Sequence, residues 1–336
     1  MITKTSRKAL FIFLFSFLVY FFSWFFVYKT GINDTAIQSE DTLPALFIPA
    51  SLSLEGNLDL DEYFDLLVSK YPQPDGGRVP FYLEENNGHF YSAFPVVTGL
   101  LAVPIYFLPL RLGIPVSFET VAILGHISAS FVVALSVMFM YLLFRRMTEN
   151  GGTLPRETSE VKSGETSEVE ELAGARVDRA VILSLAYAFG TCSFALTSQA
   201  LWQHTASQLM LTLALYFLVL GLERPEKIVW SGLFLSLATL ARPTGGIVVV
   251  ILSVYVLLCF VFRRDAINRI STIKYIVNYI LLGLLPLALF LLIPSLHWGV
   301  FAGYSSQVTG QWTAPFPIGF LGEWFSPSKG VLIYSP

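Results

Sequence analysis

Residues 9–28 read ALFIFLFSFLVYFFSWFFVY, a run with no charge, proline or glycine. A helix rises about 1.5 Å per residue, so this run is long enough to cross a bilayer core of about 30 Å. Lys4, Arg7 and Lys8 precede it, as basic residues precede a secretory signal peptide. The run is too long and too aromatic for a signal segment, and no small-x-small cleavage site follows. It reads as a retained first span with its N-terminus on the cytoplasmic side.

The rest of the chain extends that pattern. Of 336 residues 54% are hydrophobic and only 13% charged, with a mean hydropathy of +0.63, far from the composition of a soluble domain. An integral membrane protein is implied. A net charge of -3 with no basic face excludes nucleic acid as a partner. Cys192 and Cys259 lie in separate apolar runs and read as small core residues rather than a disulfide or metal pair.

Further apolar runs near 119–144, 180–199, 206–222, 228–241, 244–262 and 275–298 bring the expected spans to seven. An eighth, 96–110, is short and carries Pro104 and Pro109, so it is expected to dip in and return. If it does not cross, Arg145, Arg146, Arg224, Lys227, Arg263, Arg264, Arg269 and Lys274 all fall on the side of the N-terminus, as the positive-inside rule requires. The expected fold is all-α, a polytopic transmembrane helix bundle of about 7–8 membrane segments in a single domain over 1–336. An extracytoplasmic loop at 29–95 is expected to carry short interfacial helices. A polar loop at 148–178 repeats the pentad ETSEV at 157–161 and 165–169, cannot bury a core, and is expected to be flexible.

Under that topology the outer side collects the polar chemistry. The first loop holds Asp34, Glu40, Asp41 and Glu55, then Asp59, Asp61, Glu62 and Asp65. Apolar spacing between Leu43 and Leu54 predicts an amphipathic helix in the interface, with Pro44 in its first turn and Asp41 or Thr42 as cap. Asp41 then has two possible roles, structural cap or general base at the membrane surface. The acids from 59 to 65 read as a solvated face. Trp202, Gln203 and His204 form a second outer turn, and ARPT at 241–244 a third. Arg242 on an outer face runs against the positive-inside bias; it is either a snorkelling anchor or an anion-binding cation. Trp202 and Trp298 read as belt aromatics, with a sugar platform as the alternative for Trp202. His89 and Tyr91 are either ordinary loop residues or cavity lining. His89, His126, His204 and His297 are scattered without ligand spacing, so no metal motif emerges. A divalent cation held by loop acids stays open. Asn33, Asp34 and Thr35 fit a glycosylation sequon.

Four stretches together resemble a known group: EDTLPA at 40–45 soon after the first span, NNGHFYSAFPVVTGLLAVPIY at 86–106, SQALWQHTA at 198–206 and LARPTG at 240–245. They are similar to the GT-C superfamily of membrane glycosyltransferases, and within it to dolichyl-phosphate-mannose protein mannosyltransferase-like proteins. The resemblance implies transfer of a sugar, with inversion, from a polyprenyl-phosphate donor to a lipid, glycan or protein acceptor on the outer face of the plasma membrane. It implies Asp41 as the base, with Asp34 and Glu40 as competitors. Arg242 and Lys329 would meet the lipid phosphate, and Trp202, Gln203, His204, His89 and Tyr91 would surround the substrate. Relatives often carry a basic residue before the proline that opens the second run; here Phe94 precedes Pro95. FSPSKGVLIYSP at 325–336 resembles a stretch that precedes further spans in longer relatives, which implies a C-terminally truncated chain. The alternative is a polytopic membrane transporter or lipid flippase without transferase activity, which would be expected to bury ionisable residues near mid-membrane. A scaffold without activity is a third possibility.

Overall fold

The computed structural model describes residues 4–31, 37–72, 76–150, 178–262, 269–299 and 315–325. The chain is a polytopic helical membrane protein. Asp34, Lys329 and the ETSEV repeats lie outside the described residues.

Helix α1 (Lys4–Thr30) buries Ile12, Ser16, Tyr20 and Trp24, four residues spaced by four and so aligned on one face. The opposite face presents Phe11, Phe22 and Phe26, as a wall against lipid tails does. The buried face packs on α5 (Phe118–Asn150) and α6 (Arg179–Phe189), where Tyr20 donates its hydroxyl to the Ala188 carbonyl at 3.0 Å. After α6 come a π-helical turn at Ser193–Thr197 and α7 (Gln203–Glu223), then α8 (Ile228–Ala241), α9 (Gly246–Phe262) and α10 (Arg269–Leu292). A short helix, α11 (Pro294–Gly299), follows, and a later one, α12, spans Phe316–Phe325.

Ion pairs give the directions of the helices. Lys29 at the end of α1 lies 3.5 Å from Glu119 at the start of α5, so those two run antiparallel. Arg146 meets Glu223 at 2.6 Å and Lys8 meets Asp178 at 2.6 Å, so the start of α1 and the ends of α5 and α7 belong to their own clusters of charge. Helices α5 and α7 run in parallel, linked from Ser136 to Thr212 at 2.9 Å.

The first loop folds into α2 (Leu43–Leu54), α3 (Phe64–Lys70), a hairpin of β1 (Leu83–Asn86) and β2 (His89–Ser92), and α4 (Val97–Arg111). Asn87 and Gly88, both at positive φ, make the two-residue turn that an antiparallel pair favours. Two expectations are corrected here. Helix α2 is not amphipathic with one exposed face: every residue from Leu43 to Ser51 is buried, because α4 covers one side so closely that a Cβ on Gly99 would sit 2.9 Å from Ile48 Cβ. The loop also contains strands, so the fold is not purely helical. Helix α4 starts beside Trp202, which accepts from Thr98 at 3.2 Å, and its Tyr106 donates to Val121 at 3.0 Å. Both contacts lie at the starts of parallel helices, α7 and α5, so Thr98 and Tyr106 of α4 both lie toward that end of the bundle.

Among the described residues four helices are long and apolar enough to cross a membrane, Thr5–Thr30, Phe118–Thr148, Gln203–Glu223 and Ile273–Leu292, beside three shorter apolar helices, so the expected 7–8 is not confirmed. The expected span at 180–199 stops at Phe189, where the chain turns into the π segment, and that at 275–298 breaks at Ile293.

Candidate functional site

Three apolar helices, α8, α9 and α10, surround a cavity of about 180 Å³ whose wall includes Leu235, Ser236, Thr239, Val249, Ser253, Tyr279 and Leu287. Glycines bring its two sides together. A Cβ on Gly232 would lie 2.5 Å from the Tyr279 carbonyl, so only glycine permits this approach of α8 to α10. Inside the cavity wall Tyr279 and Ser253 share a hydrogen bond of 3.0 Å, and Thr239 donates to the Leu235 carbonyl at 3.1 Å. Ser236 Oγ is buried without a partner. On the outside of the same α8–α10 pair lies a second, shallower hollow of about 350 Å³, bounded by Val229, Asn278, Leu281, Leu282 and Leu285. From Ile228 to Ala241, Gly246 to Phe262 and Tyr275 to Leu292 there is no acid, lysine, arginine or histidine. Hydroxyls and one amide supply the polarity of both hollows.

The same part of the chain carries the sequence relationship. Residues 179–309 match the TspO/MBR family. The match covers α6 to α11 and well under half of the 336 residues. No curated protein and no solved structure matches the chain. The TspO/MBR match overturns the expected membership of the GT-C superfamily, and with it sugar transfer from a polyprenyl-phosphate donor. The motifs behind that expectation, such as SQALWQHTA and LARPTG, are short and sit at helix starts, where any polytopic protein gathers polar residues and prolines.

Several residues singled out in the sequence do meet in space, in separate groups. Arg242, at the end of α8, places Nη1 2.8 Å from Nδ1 of His204 in the first turn of α7. Trp202 and Gln203 flank the same helix start; the Trp202 indole nitrogen is buried without a partner. Asp41 sits in a 3-10 turn, Glu40–Thr42, ahead of α2, where Ser39 donates to its carboxylate at 3.2 Å. Thr42 is the N-cap of α2, one of the two expected positions, but its side chain makes no capping bond; Ser39 caps the 3-10 turn before it by accepting from the Asp41 amide.

His89 lies elsewhere, on the hairpin. Its Nδ1 is 2.6 Å from Asp61 Oδ2, and Asp61 Oδ1 accepts the Phe90 amide at 2.7 Å. Tyr91, two residues further along the strand, is buried. The acids from 59 to 65 are therefore not one solvated face, since Asp59 is only 9% exposed. Burial, reinforced by the charges of Asp61 and Glu62, pushes the Asp59 carboxyl up. The hydrogen bond to Asp61 raises His89.

Sequence inspection passed over one polar group altogether. Gln208 on α7 accepts from Thr197 at 2.6 Å and donates to Tyr187 and Ser193, each at 2.8 Å; Ser136 joins through Tyr187 at 2.8 Å. The available signal was Gln208 itself, an amide inside an apolar run, which must be satisfied by neighbouring helices.

Proposed function

We propose that this protein is a membrane transporter or lipid-moving protein, without transferase activity, that holds a lipophilic ligand in the groove between α8, α9 and α10. The observation that carries it is the groove itself. Its walls are free of charge, and it offers Ser236 Oγ without a partner inside the segment that matches the TspO/MBR family. A charge-free wall favours a neutral molecule, because an ion placed there would be desolvated with nothing to offset it. Its volume is below the ~300 Å³ at which drug-sized pockets begin, so the ligand would lie partly in the bilayer and present one polar group to Ser236, Thr239 or Ser253. A sterol fits these terms; a tetrapyrrole fits them if its carboxylates lie at the water surface.

The finer topology belongs to the same proposal. Seven segments cross, α4 turns back without crossing, and the basic loops share the cytoplasmic side with the N-terminus. Helices α6 and α8, about 16 and 21 Å long, are then completed by the turns that follow them.

The test is photocrosslinking in nanodiscs with a photoreactive sterol and, separately, a photoreactive tetrapyrrole. Labelling within 228–292 that is competed by unlabelled ligand and falls at least fivefold in Leu287→Trp supports the groove. Labelling spread evenly over lipid-facing helices, unchanged by Leu287→Trp, overturns it.

A further inference from the structure

The polar cap over the bundle carries a second site, independent of the groove. Asp59 and Asp61 flank the turn before α3, His89 opens β2, and each offers one ligand atom, all three lying within 4.8 Å of one another. We propose that Asp59, Asp61 and His89 form a binding site for a divalent d-block cation that clamps the 59–63 turn to the hairpin.

Four observations support the assignment. First, the set is mixed, one imidazole nitrogen with two carboxylate oxygens, which suits zinc or manganese better than calcium or magnesium. Second, Asp61 is already positioned: the Phe90 amide holds Oδ1 at 2.7 Å and leaves Oδ2 facing the imidazole. Third, Asp59 is only 9% exposed, and among the described residues neither carboxylate pairs with a lysine or arginine. Arg78, from the same loop, lies over the Phe90 ring instead, 5.9 Å from its centre. Two carboxylates held together in a partly dry turn are stabilised by a cation at their focus. Fourth, the spacing is close to what a metal needs. Donors about 2.1 Å from a tetrahedral metal lie about 3.4 Å from one another, so a set within 4.8 Å closes with a shift of at most about 1.4 Å. His89 is the exposed member, with 54% of its side chain accessible, and can make that shift. On binding, the cation takes the place of the proton shared by His89 Nδ1 and Asp61 Oδ2.

The clamp has a structural consequence. Both strands of the hairpin touch α11, the short helix after α10, so ordering the hairpin also orders the end of α10.

The experiment uses the full chain in detergent, stripped with a chelator and titrated with Zn²⁺ alone by calorimetry. Thermal unfolding is followed in parallel, with Mg²⁺ as the hard-cation comparison. One equivalent of Zn²⁺ bound at micromolar concentration is expected, with a rise in Tm that Mg²⁺ does not reproduce. Asp59→Asn and His89→Gln should each weaken Zn²⁺ at least tenfold, and Glu85→Gln, an exposed acid on the same hairpin, should not. Circular dichroism establishes that each variant is folded; should Asp59→Asn fail to fold, His89→Gln decides alone. Stoichiometric Zn²⁺ binding that survives His89→Gln, or no binding up to 1 mM by folded wild type, overturns the site.

Discussion

A Cβ placed on Gly283 would lie 3.3 Å from the carbonyl oxygen of Gly232, so α8 and α10 touch backbone to backbone at this pair. The two glycines are not equivalent, because the same addition at Gly232 meets the Tyr279 carbonyl at 2.5 Å, a distance no side chain tolerates. Gly232→Val should therefore force the helices apart, at about 1–3 kcal/mol of overpacking, and widen or collapse the groove. Gly283→Ala should change stability by less than about 1 kcal/mol, since the gain in helix propensity offsets a tight but movable contact. Thermal unfolding of both variants in one detergent checks the contrast. Equal loss for the two would mean the helices are not held at this contact.

Gln208 anchors the polar group that joins α5, α6 and α7. Gln208→Leu keeps the volume but leaves Thr197, Tyr187 and Ser193 without the amide they share. Stranding buried hydroxyls costs about 1–3 kcal/mol, less where they re-pair among themselves, as Tyr187 can with Ser136. A drop in unfolding temperature larger than that of Gln208→Glu at acidic pH is expected. No drop in either would show that the network re-forms without the amide.

How far the sequence led can be judged residue by residue. The long helices followed from run length and the absence of charge, because in a bilayer the backbone must satisfy itself. Pro104 and Pro109 do not break 97–111, which is one continuous helix, while the approach of His204 to Arg242 was legible from two polar turns placed at one end. The burial of α2 was not legible. Its apolar spacing suits an interfacial helix as well as a covered one, and only the closeness of Gly99 to Ile48 decides. Nor was the groove, which depends on Gly232 meeting a backbone carbonyl 47 positions away. The acids at 59 and 61 looked like a solvated face because nothing in sequence brings His89 to them. Short motifs at helix ends pointed to the wrong superfamily, since such residues recur wherever a chain leaves the membrane.

The hairpin anchor should tighten as pH falls, measured with chelator present to exclude any cation. His89 is raised by its hydrogen bond to Asp61, so its contribution is full below the ordinary histidine range near 6.5 and is lost as pH rises through the higher folded value. Asp59 is raised by burial, with Asp61 and Glu62 adding to the shift, so its charge opposes the folded turn at neutral pH. That opposition fades as pH falls through the raised value towards about 3.9. Both terms favour the folded hairpin as pH falls, and His89, raised from about 6.5, is the group that titrates near neutral pH. Hydrogen exchange over residues 83–92, corrected for intrinsic rates, should show greater protection at pH 5.5 than at pH 8. His89→Gln should remove the upper part of that change. Protection that rises with pH would contradict both assignments.

The proposed sidedness makes a direct demand on chemical labelling. The hairpin and the charged ends of α5 and α7 belong to opposite ends of the bundle, because Glu119 starts the helix that Arg146 finishes. With Cys192 and Cys259, both free thiols, replaced by serine, Glu85→Cys marks the hairpin and Met147→Cys the basic end. Both positions are exposed, and Met147 follows directly on the charged Arg145 and Arg146. In intact cells a membrane-impermeant maleimide should label residue 85 and spare residue 147 until the membrane is opened. Labelling of 147 alone would invert the orientation and keep the fold. Labelling of both before permeabilisation would mean that α5 does not cross, and the seven-span arrangement would fall with it.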